Sequence, residues 1–312
     1  MSIRTLAQKT AWMICAAMIA ASATASTSVD ASQASNTNTH AVAFQQIRNA
    51  TVKIRYGDTT FLVDPMLAPK GSYAAAPGEF NGELRNPIVE LPTAIDKVID
   101  ADAVIVTHLH IDHWDDAAKE RLPKSIPIFA QNDQDAEKIR SAGFRDVRAL
   151  NAPTDFKGVR LIRTNGQHGS DATMAVRGRM LGSVSGVVFQ RPGFKSVYVT
   201  GDTVWNRDVE AAISTYKPDV IVLNTGYVRF KDIDGAVIMG KEDLYRASQV
   251  APNAYIVASH MEALAHSMQS RRELKEFISE KGLDPKRVLV PDDGQSYDFS
   301  ADIASSRTTS GH

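Results

Sequence analysis

The sequence predicts an α/β fold of two sheets with helices on the outside, and three observations lead there. A chain of 312 residues with 43% apolar content is long enough to bury one large core. Its folded part opens with closely spaced apolar runs around tight turns, the pattern of hairpins. From Thr93 onward, short apolar runs alternate with segments of helical period.

The N-terminus is of another kind. Arg4 and Lys9 precede an apolar run from Ala11 to Ala20, and Ala23-Thr24-Ala25 follows, so residues 1–25 read as a secretory signal peptide cleaved after Ala25. No run reaches the roughly 18 apolar residues that a membrane span needs. The expectation is a periplasmic or secreted protein without a stable span after cleavage. Cys15, the one cysteine, lies inside that segment, so a chain starting at Ser26 has no thiol to use as nucleophile, disulfide or ligand. Loss of Arg4 and Lys9 lowers 35 basic residues by two against 36 acidic ones. The resulting acidic chain gives no reason to expect nucleic acid as a partner.

Residues 26–40 are mostly Ser, Thr, Ala, Asn and Gln, and read as a flexible segment. The domain is expected over 41–295, with 296–312 as a tail. Strands are expected at 41–47, 51–56 and 59–63, the last two joined by Gly57-Asp58 and ending at Asp64-Pro65. Residues 65–92, with several Gly and Pro, read as a long loop, and such loops are often functional covers. Further strands are expected at 103–107, 126–130, 159–164, 186–190, 197–200, 220–224, 255–259 and 288–290. Helices are expected at 115–122, 132–142, 206–215, 241–251 and 270–281, several opened by Asp, Asn or Ser.

Function is written most densely in residues 107–115, Thr-His-Leu-His-Ile-Asp-His-Trp-Asp, directly after Ala103-Val104-Ile105-Val106. Imidazole and carboxylate together suit a borderline-soft divalent metal, and this short spacing can serve two ions. His168, Asp202 and His260 each stand where an expected strand runs into a loop, the usual place for chemistry on a rigid scaffold. Alone, each is ordinarily a surface, turn or hydrogen-bonding residue. Beside His-x-His-x-Asp-His, ligation becomes the stronger reading. His40, His266 and His312 fall outside the set; for His266 a helix-capping or surface role is the first reading and support of the site the second.

These residues resemble the metallo-β-lactamase fold superfamily over about 41–295, with the motif standing at His108, His110, Asp112 and His113 and later ligands matched by His168, Asp202 and His260. Within it the chain is similar to the branch containing ascorbate 6-phosphate lactonase, through Asp64-Pro65, Gly201-Asp202-Thr203-Val204-Trp205 and Ser259-His260-Met261-Glu262. The resemblance implies a four-layer αββα sandwich with a dinuclear site at the sheet edge. His108, His110 and His168 would hold one ion, Asp112, His113 and His260 the other, with Asp202 bridging. Asp112 would also orient the attacking water, which makes it the catalytic candidate. Zinc is the first expectation for both ions, with manganese or iron as alternatives. Trp114-Asp115 departs from the family pattern, where a small residue commonly follows the motif, and leaves the pocket shape open.

Two ions that share a hydroxide can attack a carbonyl or phosphoryl centre without a serine or cysteine. The expected reaction is hydrolysis of a small ester, lactone or related acyl substrate. Phosphodiester hydrolysis, including phospholipid headgroup cleavage, is the alternative, and a non-catalytic metal-binding or ligand-binding protein is the reading from another class. Gly182-Ser183-Val184-Ser185-Gly186 has its serines misplaced for a nucleophile elbow, and no nucleotide-binding glycine motif occurs. Asp64 is the candidate to orient a ligand imidazole. Trp205, Tyr227, Arg179 and residues 66–85 are candidates to line the pocket. Arg271 and Arg272, among Glu273, Lys275 and Glu276, read as a solvated helix face.

Overall fold

The computed structural model describes residues 40–75 and 78–299; the signal-like segment and most of the 26–40 segment lie outside the described residues. Three strands open the fold, β1 (Val42–Arg48), β2 (Thr51–Tyr56) and β3 (Thr59–Val63). A short ladder of β4 (Tyr73–Ala74) and β5 (Arg85–Asn86) lies in the long loop, followed by α1 (Ile95–Ile99). Then come β6 (Ala103–Val106), α2 (Asp116–Arg121), β7 (Ile128–Ala130), α3 (Asp133–Ser141), β8 (Val147–Ala149), β9 (Thr154–Phe156) and β10 (Val159–Asn165). The second half holds α4 (Asp171–Leu181), β11 (Ser185–Gln190), β12 (Val197–Val199), α5 (Arg207–Tyr216), β13 (Val220–Asn224), α6 (Lys241–Val250) and β14 (Tyr255–Ser259). It ends with α7 (Arg271–Glu280), β15 (Val288–Leu289) and β16 (Ser296–Phe299).

Two seven-stranded sheets result. One runs β16-β1-β2-β3-β6-β7-β8 and the other β15-β14-β13-β12-β11-β10-β9. Each is antiparallel at one end and parallel at the other, with the first parallel pair at β3/β6 in one and at β12/β13 in the other. Alternation within the strands decides the layers, because successive side chains point to opposite faces. Phe61 and Val63 join Val187, Phe189, Val199 and Val222 in the core between the sheets. Leu62, Val104 and Val106 face the other way, against Ala118, Leu122, Ala136 and Ile139 of α2 and α3. On the second sheet Ile221, Leu223 and Ile256 turn outward to α5, α6 and α7. Strands buried on both faces read as continuous apolar runs, which is why the sequence shows so little alternation there. The layers are thus α, β, β, α, as the sequence led us to expect.

Caps set the helix starts. Asp115, Asn132, Ser170, Asn206 and Ser270 each accept a backbone N–H of the first turn through the side chain, a contact worth about 1 kcal/mol. Helices α1 and α4 and the two- or three-residue strands β4, β5, β8 and β9 were not expected. Residues 296–299, assigned to the tail from sequence, instead form β16 and pair with β1. Among the described residues no helix is long and apolar enough to cross a membrane.

Candidate metal centre

The site is assembled where strands end. After β6, Thr107 gives its N–H to Asp64 Oδ1 at 2.8 Å and its hydroxyl to Asp64 Oδ2 at 2.7 Å, tying the start of the motif to the end of β3. The chain then turns tightly, with the N–H groups of His113 and Trp114 both donating to the His110 carbonyl at 2.9 Å. Asp64 also holds His113 Nδ1 at 2.8 Å. A buried carboxylate on Nδ1 fixes the tautomer and turns the lone pair of Nε2 toward the cluster. Asp64 does this from a left-handed backbone conformation with φ of 47°, which Asp adopts more readily than most residues. The orienting role expected of Asp64 thus matches its place in the structure.

Asp202 owes its position to Gly201. A Cβ there would lie 2.2 Å from the Ser185 carbonyl oxygen, and the backbone has φ of 65°, so only glycine fits. Asn224 Nδ2 donates to Asp202 Oδ1 at 2.7 Å. The other oxygen, Oδ2, faces Nε2 of His113 at 3.1 Å, of His260 at 3.5 Å and of His168 at 3.7 Å. His260 is held at φ of 58° with its N–H on the Asn49 carbonyl. Asn49 Nδ2 also reaches Asp112 Oδ2 at 3.3 Å. The Nδ1 of His168 lies 3.3 Å from the Val237 carbonyl, and its Nε2 lies 3.1 Å from His110 Nδ1.

All seven sequence candidates therefore converge, and they form two groups: His108, His110 and His168, and Asp112, His113, Asp202 and His260. Within each group the donor atoms lie within 4.8 Å of one another. The donor set fits a metal on three counts. His113 Nε2 and His260 Nε2 face each other at 3.3 Å, close to the roughly 3.3 Å that separates two ligand nitrogens on a tetrahedral ion with bonds of about 2.0–2.1 Å. His108 Nε2 is buried with no hydrogen-bond partner, an arrangement a cation resolves. Electrostatics agree as well. Burial, with His113 and His110 adding to it, holds His108 well below the ordinary imidazole range, and burial takes His168 down to about 4. In the second group burial also works against charge, yet Asp202 and Asp112 outweigh it. His113 is raised well above the usual range and His260 is pushed up to about 9.

Beside the groups lies a cavity of about 270 Å³. Met66 and Tyr73, as expected of residues 66–85, form one wall with Asn86 just beyond that segment, while Leu181 of α4, Val228, Phe230 and Ile238 form another. Trp205 is not among the lining residues. It stands outside the second sheet, with Nε1 on Glu210 and Arg246 over its ring. Arg179 and Tyr227 are exposed and also off the wall. Trp114-Asp115 does not shape the pocket either. Trp114 packs on Phe144, and Asp115 caps α2 while accepting the N–H groups of Leu67 and Ala68. Buried Arg48 completes that brace by donating to the carbonyls of Met66, Ala68 and Val89.

Two readings from sequence are corrected. His266 is no surface residue, since it lines the cavity with Nδ1 2.9 Å from Glu79 Oε2. Arg271 is not solvated, because it binds Glu262, Asp293 and the Pro291 carbonyl; Arg272 is exposed as expected. Asn49, Asn224 and Glu79 were not singled out. Asn224 carried a signal, as the polar end of an apolar strand, whereas Asn49 reads only as a hairpin turn.

Comparison with known proteins agrees with this geometry. Residues 59–261 match the family described as Beta-lactamase superfamily domain. UPF0173 protein YddR of Bacillus subtilis (strain 168) is 48% identical over 255 residues, which cover 81% of this chain and 98% of that protein. The crystal structure of a possible metal-dependent hydrolase from Veillonella parvula DSM 2008 is 41% identical with a TM-score of 0.80, covering 82% of this chain and 98% of that one. The isothiocyanate hydrolase from Delia radicum gut bacteria is 42% identical, also with a TM-score of 0.80, and covers 83% of this chain and 100% of its own. A chain with this layered fold, these converging histidines and aspartates and these relatives belongs to the beta-lactamase superfamily and is one of its metal-dependent hydrolases.

Proposed function

We propose that the protein is a dinuclear hydrolase of small, uncharged substrates with an electrophilic carbon. One observation carries this reading: the two ligand groups meet at Asp202 beside a cavity whose wall is mostly apolar and, among the described residues, contains no lysine or arginine. His108, His110 and His168 would hold one ion and Asp112, His113, Asp202 and His260 the other. Bound divalent ions, zinc in the first instance, supply an activated water and polarise the electrophile. Asp112 would orient that water, a role supported by its being the half-buried member of its set and by its place on the cavity wall.

The likeness to isothiocyanate hydrolase supports an isothiocyanate as the first substrate. Lactone and ester hydrolysis rests on the narrower sequence resemblance, and phosphodiester hydrolysis is disfavoured by a wall without cationic side chains to meet the phosphate charge. The test is to purify the chain from Ser26 and measure metal content alongside turnover of benzyl isothiocyanate, a δ-lactone, a carboxyl ester and bis(p-nitrophenyl) phosphate, with and without chelator. The expected result is about two metals per chain, as two-metal sites hold, with chelator-sensitive turnover fastest on the isothiocyanate. Dominant phosphodiesterase activity would overturn the substrate class. Fewer than one tightly held metal and no turnover would leave a binding role. Export rests on the pattern from Arg4 to Ala25, and a native protein that still begins at Met1 would refute it.

A further inference from the structure

Glu79 and His266 form a half-buried pair that the metal-centred chemistry does not use. Both line the cavity, and their side chains are only 11% and 14% exposed. Glu79 Oε2 and His266 Nδ1 are 2.9 Å apart, but the contact is bent: neither atom completes a well-directed hydrogen bond there or elsewhere. With Nδ1 turned to the carboxylate, Nε2 is the ring nitrogen left for a molecule in the cavity.

Both residues are fixed from outside the metal groups. Glu79 bridges to Phe230 through the backbone, and Lys231 donates its N–H to the Gly78 carbonyl. Asn81 donates to the Ala265 carbonyl at 2.7 Å, and the N–H of Ala265 goes to Asn86 Oδ1 at 2.8 Å. The loop carrying Glu79 and the segment carrying His266 are therefore stitched together beside the cavity. Apart from the ligand groups and this pair, Tyr73 is the one titratable residue among the lining residues, and burial pushes its phenol up to about 12, so it is a weak proton donor near neutrality.

Resting on the function proposed above, we infer that His266, oriented by Glu79, delivers the proton that the departing atom of the substrate requires. For an isothiocyanate, the water oxygen forms a bond to the central carbon, and the C=N π pair moves to nitrogen, which takes one proton. Cleavage of C–N then leaves that bond's pair on nitrogen, which takes a second proton, while the added oxygen gives up its remaining hydrogen. The sum is R–N=C=S + H2O giving R–NH2 + O=C=S. For an ester or lactone, the same group protonates the departing alkoxide. The carboxylate beside Nδ1 fixes the ring so that Nε2 is the nitrogen presented to the departing atom. The pair thus selects substrates whose departing atom is strongly basic.

The experiment compares wild type with Glu79→Gln and His266→Gln, each with its metals measured, on paired substrates of unequal leaving-group basicity. The pairs are a δ-lactone against p-nitrophenyl acetate, and benzyl against p-nitrophenyl isothiocyanate. Turnover by wild type establishes the underlying reading; wild type inert on both pairs overturns that reading and the inference with it. Metal content should stay at the wild-type level. The expected result is a fall in kcat of roughly 10²-fold or more on the basic leaving group, with KM changed by no more than about threefold and little loss on its p-nitrophenyl counterpart. Equal losses on both members of a pair, or loss of metal, would assign the pair a structural role and overturn the inference. Should the variants not fold, the wild-type dependence of kcat on leaving-group basicity decides the question, since a working acid makes it shallow and a steep dependence refutes one.

Discussion

The two ligand groups solve the same problem with different materials. His108, His110 and His168 contain no carboxylate of their own, and burial keeps His108 and His168 uncharged, so they offer lone pairs ready for a cation. Asp112, His113, Asp202 and His260 pair two carboxylates with two imidazoles whose affinity for protons those carboxylates raise. The first group is built of imidazoles alone and the second of opposed charges. What joins them is Asp202 Oδ2, which lies near histidines of both groups.

The sharpest way to break that comparison is to remove the link. Asp202→Ala takes a charge from one group and a neighbour from the other, and strands Asn224 Nδ2 without its acceptor. Activity is expected to fall by more than about 10²-fold, the upper range for losing mere outer partners of a ligand, and metal content to drop below that of the wild type. Elemental analysis of the purified variant checks this. Retention of both metals would show that the groups are independent.

A smaller effect is expected from Asp64→Asn, which keeps an oxygen near Thr107 and suits the left-handed backbone but removes the charge behind His113. Metal affinity or activity should fall roughly 10- to 100-fold. The loss should fall on the second group, so one metal is held as in wild type and the other weakly. Competition with a chelator of graded strength separates the two.

Protons offer a gentler probe. In the metal-free protein His260 titrates near 9 and His113 is raised with it, because burial is outweighed by Asp202 and Asp112. At neutral pH both therefore carry protons that a metal must displace, and affinity there should fall as pH drops below about 9. His108 and His168 carry none to displace. Calorimetric titration in two buffers of unequal ionisation heat should show one binding step that depends on the buffer and one that depends on it much less.

How much of this was legible follows from where the information sits. The strands buried on both faces and all seven candidate ligands could be read locally, since an apolar run, a strand end and a histidine are adjacent in sequence. Partners contributed from a distance could not. Asn49 and Asp112 are 63 residues apart, and nothing in Arg48-Asn49-Ala50 marks a contact beyond the hairpin. Helix α4 escaped because its apolar residues follow no helical period, with Val176 and Met180 exposed and Gly178 inside. Glu79 and His266 escaped because a lone acid in a long loop and a lone histidine carry meaning only once the fold brings them together. Asp64 lay between these cases: Pro65 marked the end of a strand, but His113 as its partner required the structure.

The smallest expected effect tests the border of the site. Trp205 stands three residues beyond Asp202, so its place in the sequence suggests the pocket, while its contacts lie with Glu210 and Arg246 outside the second sheet. Trp205→Phe keeps an aromatic ring and removes one hydrogen bond, a loss of about 1 kcal/mol or less at a partly exposed position. It should lower Tm slightly and leave metal content and kcat/KM within about twofold, because a change confined to 1 kcal/mol of stability leaves the folded fraction near unity. Thermal melts beside steady-state rates check it. A large change in rate without a matching change in stability would mean that the segment after Asp202 acts as one unit, and would extend the catalytic centre through the sheet to its helical face.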